Sequence, residues 1–284
     1  MTKKTSYNNR KLIFRSNILE QKIHGRTLNN KLRYEGQVFD TNFNGKLIIT
    51  EFQNANNIKV KFIGTGYETV TYLTQITNGN VRDWSLARVY GVGIIDKPVI
   101  KGSSNHTKQP HYKTWNSMLQ RCYDEKLHTV RPTYKGCSVS DEFKSFSKFS
   151  FWAEKQIGAN SVDDVGRPFH LDKDILVKGN KVYSPDTCCF VPHDINTQFT
   201  MSKGKRGDLP VGVSRRRGYG LYRVQIKSDG VVKCLGNFKT VEDAFYAYKT
   251  AKESYIKSLA NKWRDQIDPR VYEALLRYEV EITD

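Results

Sequence analysis

The stretch Phe169–Phe199, FHLDKDILVKGNKVYSPDTCCFVPHDINTQF, limits the fold more than any other part of the chain. Its apolar residues come in runs too short for a helix. Turn formers divide them: Lys178-Gly179-Asn180, then Ser184-Pro185-Asp186, then Pro192. Glycine beside asparagine reverses the chain at little steric cost, and proline ends a ladder because it has no N–H to give. The pattern predicts a strand from Phe169, a turn, a second strand through Cys189-Phe190-Val191, and a helix opened by Asp194-Ile195-Asn196. A hairpin followed by a helix can bring Asp172 and Asn196 together although 24 positions separate them.

Around this segment the chain reads as α+β. Residues 36–82 alternate as short strands: Lys46–Phe52 after Asn44-Gly45, Ile58–Ile63, then Glu68–Leu73. That spacing predicts a small antiparallel barrel, with Val60 and Phe62 on one face and Lys59, Lys61 and Ile63 on the other. Residues 83–110, with Gly91, Gly93, Pro98 and Gly102, read as a connector. Trp115, Met118, Leu119 and Cys122 fall at helical spacing, as do Phe143, Phe146, Phe149 and Trp152, and both sets read as core. Residues 211–238 predict three strands. Val241–Trp263 predicts a long helix capped by Thr240, and one more helix follows Pro269. The expected divisions are an arm at 1–35, a barrel-like domain at 36–100, a central domain at 108–200 and a C-terminal domain at 210–284. In the arm, Ile13, Phe14, Ile18 and Leu19 hint at a short amphipathic helix.

Charge narrows the choice of partner. The 284 residues carry a formal +17, and it is concentrated. Residues 1–33 hold nine Lys/Arg against Glu20, and residues 201–240 hold ten against Asp208 and Asp229. Two such patches on an otherwise nearly neutral chain suit a polyanion, because clustered cations displace counterions from phosphates. No apolar run approaches the roughly 20 residues of a membrane span. The N-terminus lacks a hydrophobic signal core, and five cysteines without a CxxC pair predict buried thiols rather than bridges or zinc. A reducing cytoplasm is the expected setting, with no protein partner inferred.

Residues 169–199 resemble the HNH superfamily of nucleases, the ββα-metal finger, in the variant widespread among phage-encoded proteins. Leu171-Asp172-Lys173-Asp174-Ile175 matches the first strand, Asn180 and Ser184-Pro185-Asp186 the loop, Cys189-Phe190-Val191 the second strand, and Asn196 the helix. Tyr112, Trp115, Met118 and Arg121-Cys122-Tyr123 resemble the region upstream of such motifs, so the likeness covers roughly 110–200. It implies Mg²⁺- or Mn²⁺-dependent phosphodiester hydrolysis, with Asp172 and Asn196 as metal ligands. Hard oxygen donors suit such an ion, and a base must activate the attacking water. The family has His at the base position, where this chain has Lys173. Lys173, His170 and His193 are the candidates for that role. Along an extended strand His170, Asp172 and Asp174 share a face and Lys173 points away.

Residues 211–260 resemble the AP2-type DNA-binding domain in the Gly-Val opening, Tyr222-Arg223-Val224, Leu235-Gly236, Phe238 and Glu242-Asp243-Ala244. The resemblance implies a three-stranded sheet against one helix, with the sheet in the major groove of double-stranded DNA. The alternation turns Tyr222, Val224 and Ile226 toward the helix and Arg223, Gln225 and Lys227 outward. Arginine and glutamine can pair bidentately with guanine and adenine. Arg215, Arg216 and Arg217 read as phosphate clamps, and Lys233 joins the DNA-facing set. The leading expectation is a homing-like HNH endonuclease. The alternatives are a catalytically degenerate HNH scaffold that only binds DNA, and an RNA-binding or ribosome-associated protein.

Overall fold

The computed structural model describes residues 28–96, 106–199, 208–216 and 218–283. Arg217 and the amphipathic segment expected at residues 13–19 lie outside the described residues. The chain divides into two compact units, Met1–Leu86 and Ala87–Asp284.

In the first unit residues 28–34 are helical. Four strands follow: β1 (Val38–Thr41), β2 (Gly45–Asn54), β3 (Asn57–Phe62) and β4 (Glu68–Thr71), hydrogen-bonded in that order. The expected barrel is not formed. β1 and β4 stay at opposite edges of an open antiparallel meander. The sheet has one apolar face to bury: Leu47, Ile49, Phe52, Ile58, Val60 and Phe62. Ile76, from the short helix α1 (Leu73–Thr77), and Val81 share that core, so closure is not needed to dry it. A bulge between Ile49 and Glu51 shifts the alternation by one residue, which keeps Phe52 on the buried side. Ile58, Val60 and Phe62 are buried and Ile63 is exposed, as the alternation predicts.

The second unit is α+β with several small sheets. Part of the expected connector is structured: β5 (Ala87–Val89) and β6 (Gly93–Ile94) form a hairpin packed on the main core. Then come α2 (Tyr112–Tyr123), α3 (Glu125–Val130), β7 (Ser138–Val139), α4 (Asp141–Lys144) and α5 (Phe146–Ala153). The aromatic run is two helices, divided at Ser145, whose side chain caps α5 by accepting from the Lys148 N–H. Trp115, Met118, Leu119, Phe143, Phe146 and Phe149 are buried as expected, and the Trp115 indole donates to the Phe143 carbonyl at 2.7 Å.

β8 (His170–Asp172) pairs antiparallel with β10 (Cys189–Val191), in the register Asp172 to Cys189 and His170 to Val191. Between them β9 (Val182–Tyr183) runs parallel to β7. The short helix α6 (His193–Asn196) follows Pro192 directly. β11 (Val213–Arg216), β12 (Leu221–Ser228) and β13 (Val231–Phe238) form a three-stranded antiparallel sheet. The chain then enters α7 (Val241–Trp263), capped by Thr240 through the Asp243 N–H, and α8 (Pro269–Leu276), capped by Asp268.

α7 settles how these parts are held. Its 23 residues span roughly 35 Å. Ala244, Phe245 and Tyr248 pack with Val213, Val224 and Ile226 of the sheet. Further on, Ile256, Leu259, Ala260 and Trp263 belong to the core that also holds Trp115, Phe149, Leu171 and Phe190. The segments 108–200 and 210–284 therefore share one core within one compact unit.

Gly212, in the Gly-Val opening of the sheet, has φ of +76°, and a Cβ there would fall inside the ring of Tyr248. Gly212→Ala combines a backbone penalty with overpacking, so we expect a loss of roughly 1–3 kcal/mol in denaturant unfolding.

Candidate functional site

β8 ends on Asp172 because its carboxylate turns the chain. Oδ1 accepts from the backbone N–H groups of Asp174 and Ile175, both at 2.9 Å. Lys173 and Asp174 thus leave the strand, and the expected alternation stops at Asp172. Lys173 does not project into solvent. It is buried, its ammonium donates to Asp174 Oδ2 at 3.0 Å, and it lies 5.8 Å from the centre of the Tyr183 ring. Asn180 holds the loop from the other side, donating through Nδ2 to the carbonyls of Lys173 and Val182, each at 2.7 Å.

A cleft of about 660 Å³ opens along this hairpin. His170, Asp172, Lys173, Asp174, His193 and Asn196 all line it, so the structure brings every catalytic and metal-ligand candidate to one place. The rings of His170 and His193 lie 5.2 Å apart. Burial, reinforced by His193 and Arg121, holds His170 below the ordinary imidazole range. That shift favours the neutral form, which can accept a proton. Burial first, then the neighbouring Asp174, pushes Asp172 up to about 6. A buried carboxylate in that condition favours a nearby cation.

Among the described residues no three His, Cys, Asp or Glu side chains converge as a ready-made metal cluster. The lining instead mixes carboxylate, amide and imidazole donors. Oδ1 of Asp172 is engaged in the turn, and Asp172 and Asn196 contribute a carboxylate and an amide, oxygen donors of the kind a hard divalent cation takes, to the lining of the same cleft.

The opposite wall comes from α2 and the segment after it. Arg121 reaches the end of β8, with Nη1 3.5 Å from the Leu171 carbonyl and 3.4 Å from the Tyr183 hydroxyl. Burial opposes its charge while Tyr183, Tyr134 and Asp172 favour it, and the net shift is upward. Arg131 and Lys181 complete this wall. The resemblance drew Arg121 only into an upstream motif. The available signal was an arginine set between Leu119 and Cys122, at the margin of an otherwise buried helix face.

The three-stranded sheet places its cations on two faces. Paired residues of an antiparallel sheet project to the same side. Arg223 is opposite Ser214 and Asn237, Gln225 opposite Cys234, and Arg216 opposite Leu221, so Arg216, Arg223, Gln225 and Lys227 share the face away from α7. The Cys234 thiol is held below its usual range chiefly by Arg223, with Arg216 contributing, as a shared face requires. It is exposed, unlike the other four cysteines, against the expectation of buried thiols throughout, and all five are unbridged. Arg215 pairs with Tyr222 and Lys233 with Ile226, which puts both on the side that carries the helix. A bulge at Val224/Gln225 contributes to this, because it inserts Leu235 and reverses the parity of the first part of β13. Among the described residues, none of Arg215, Arg216, Arg223, Lys227 and Lys233 is paired with a carboxylate. Arg216 instead stacks at 4.2 Å on Tyr219.

No helix among the described residues is long and apolar enough to cross a membrane. No protein-family model matches this chain, and neither a curated protein nor a solved structure matches it.

Proposed function

We propose that this protein is a metal-dependent endonuclease of the HNH type that binds duplex DNA through its C-terminal sheet and hydrolyses phosphodiester bonds in the β8–β10–α6 cleft. One observation carries the reading. Asp172, Asn196, His170 and His193 converge on one cleft, in the same compact unit as a sheet face of uncompensated arginines and lysine. Strand, strand and helix follow one another in the order that the HNH resemblance requires. A reducing cytoplasm, such as that of a phage-infected host, suits five unbridged thiols.

Asp172 and Asn196 would hold Mg²⁺ or Mn²⁺, which when bound supplies charge to the phosphate and to the leaving oxyanion. His170 takes the part of general base. Burial favours its neutral imidazole and it lines the same cleft as Asp172, whereas the Lys173 ammonium is committed to Asp174. His193, whose ring centre lies 5.2 Å from that of His170, is the other imidazole of the cleft and the alternative candidate for that role. On the sheet, Arg223 and Gln225 read base edges while Arg216 and Lys227 meet phosphates. With Arg215 and Lys233 on the helix side, their contribution is to the flanking backbone.

Incubation of supercoiled plasmid with Mg²⁺, and in parallel with EDTA, tests the reading. Nicked or linear product only with the metal is the expected result. Tight duplex binding without product under any divalent ion would favour the degenerate scaffold, to which the engaged Lys173 lends support. Arg223→Ala is expected to reduce discrimination between duplex sequences more than affinity for a random one. An equal loss on all sequences would make Arg223 a phosphate contact.

A further inference from the structure

The wall of the cleft facing Asp172 carries three cations. Among the described residues Arg121, Arg131 and Lys181 form no ion pair with a carboxylate, and Asp172 favours the charge of Arg121 without contacting it. Lys181 donates to the Thr133 carbonyl at 3.0 Å. Arg131 is exposed, at the C-terminal end of α3. Arg121 is the most constrained of the three. It stands at the end of β8 over the Tyr134 ring, and only Nη1 is engaged, by two neutral acceptors at long distance. A hydrogen bond of full strength to nitrogen runs about 2.7–3.2 Å. No described group bonds its Nε or Nη2, so the forked edge of the guanidinium is left for the cleft. A planar fork of donors fits two oxygens of one phosphate.

We infer that Arg121, flanked by Arg131 and Lys181, is a phosphate-binding wall that grips the backbone of the duplex DNA strand in the cleft, with Arg121 on the phosphate nearest Asp172. This rests on the nuclease reading and adds the side of the cleft that holds the substrate. The grip belongs to the chain's own cations and so operates without the metal. Arg121 supplies the bidentate contact, and Arg131 and Lys181 supply charge to the phosphates on either side.

The test is duplex DNA affinity in EDTA across a series of salt concentrations, for the full-length protein and two variants. Arg131→Ala/Lys181→Ala alters only exposed side chains. Each lost phosphate contact lowers the slope of log affinity against log salt by about 0.9, so this double variant should lose nearly 2. Arg121→Met keeps the volume of the side chain and should lose about 1. An arginine that only braces Tyr183 would alter thermal stability and leave the slope alone. If Arg121→Met does not fold, the double variant decides. Unchanged slopes in a protein whose wild type binds duplex DNA overturn the wall and leave the nuclease reading standing. A wild type that binds no duplex at all overturns both, and the plasmid assay then fails with it.

Discussion

Asp172→Asn is expected to abolish metal-dependent cleavage and at the same time to stabilise the metal-free protein at neutral pH. The loss follows because asparagine removes the one charged donor of the proposed metal pair. Disturbing even the outer partners of a metal site costs up to about a hundredfold in affinity or activity, so removing the charged ligand should cost at least that. The gain follows from burial. Burial and Asp174 push the carboxyl from its ordinary 3.8 to about 6, so between those values the folded chain holds a proton that the unfolded chain has released. The stability of the metal-free protein therefore falls as pH rises through about 6, and the ionised carboxylate is a burden above it. Asparagine can still accept the Asp174 and Ile175 N–H bonds through its own Oδ1 while leaving no charge to bury. Chemical denaturation in EDTA at pH 5 and pH 7.5 should show a wild type more stable at the lower pH and a variant with a flatter response. A variant less stable than wild type at pH 7.5 would mean that the carboxylate is compensated in the apo fold.

Trp263→Ala should unfold the cleft and the DNA-reading sheet together. The indole is buried, meets Phe169 edge-on at 5.6 Å and donates to Asp194 Oδ2 at 2.9 Å. Large-to-small replacement of a core aromatic costs about 3–5 kcal/mol, a large part of the stability of a domain this size. Asp194 is on α6, two residues from Asn196, so the lost hydrogen bond also loosens the helix that carries the proposed amide ligand. Hydrogen exchange should rise in parallel in β8, β10 and β12, because α7 serves both cores. For the same reason a fragment of residues 210–284 should not fold by itself. It would expose Ile256, Leu259, Ala260, Trp263, Val271 and Leu275, all buried in the intact chain. A soluble, cooperatively melting fragment would show that the shared core is dispensable to the sheet.

Much of the local structure was readable from residue order. Proline at 192, the Gly179-Asn180 turn and the apolar alternation of Leu221–Ser228 act over a few residues, and short-range sterics decide them. Val241–Trp263 was legible for the same reason: Thr240 caps it and its apolar spacing persists. The α+β class and the burial of Val224, Ile226 and the Phe143–Phe149 aromatics follow from such patterns. The convergence of Asp172 and Asn196 on one cleft also agrees with the segment's punctuation, although nothing in it indicated what the other wall would be.

What the tertiary structure decided lies wherever distant parts of the chain meet. Alternating strands predict a half-buried sheet, but closure depends on what covers the apolar face, and in residues 38–81 Ile76 and Val81 cover it. A strict alternation cannot see a bulge, so Lys233 falls on the side of Ile226. The pattern also cannot tell that Asp172 spends one oxygen on its own turn, which pulls Lys173 out of the strand and onto Asp174. The Gly- and Lys-rich stretch near residue 205 reads as a boundary, whereas α7 joins the two sides of it through one core. Sequence alone determined many of the elements, because helices and turns are specified largely by neighbours, but not the β5–β6 hairpin or the break at Ser145. Only packing determined the cleft with its unpaired arginines, because which charges meet an acid depends on chain segments some 50 residues apart, such as Arg121 and Leu171.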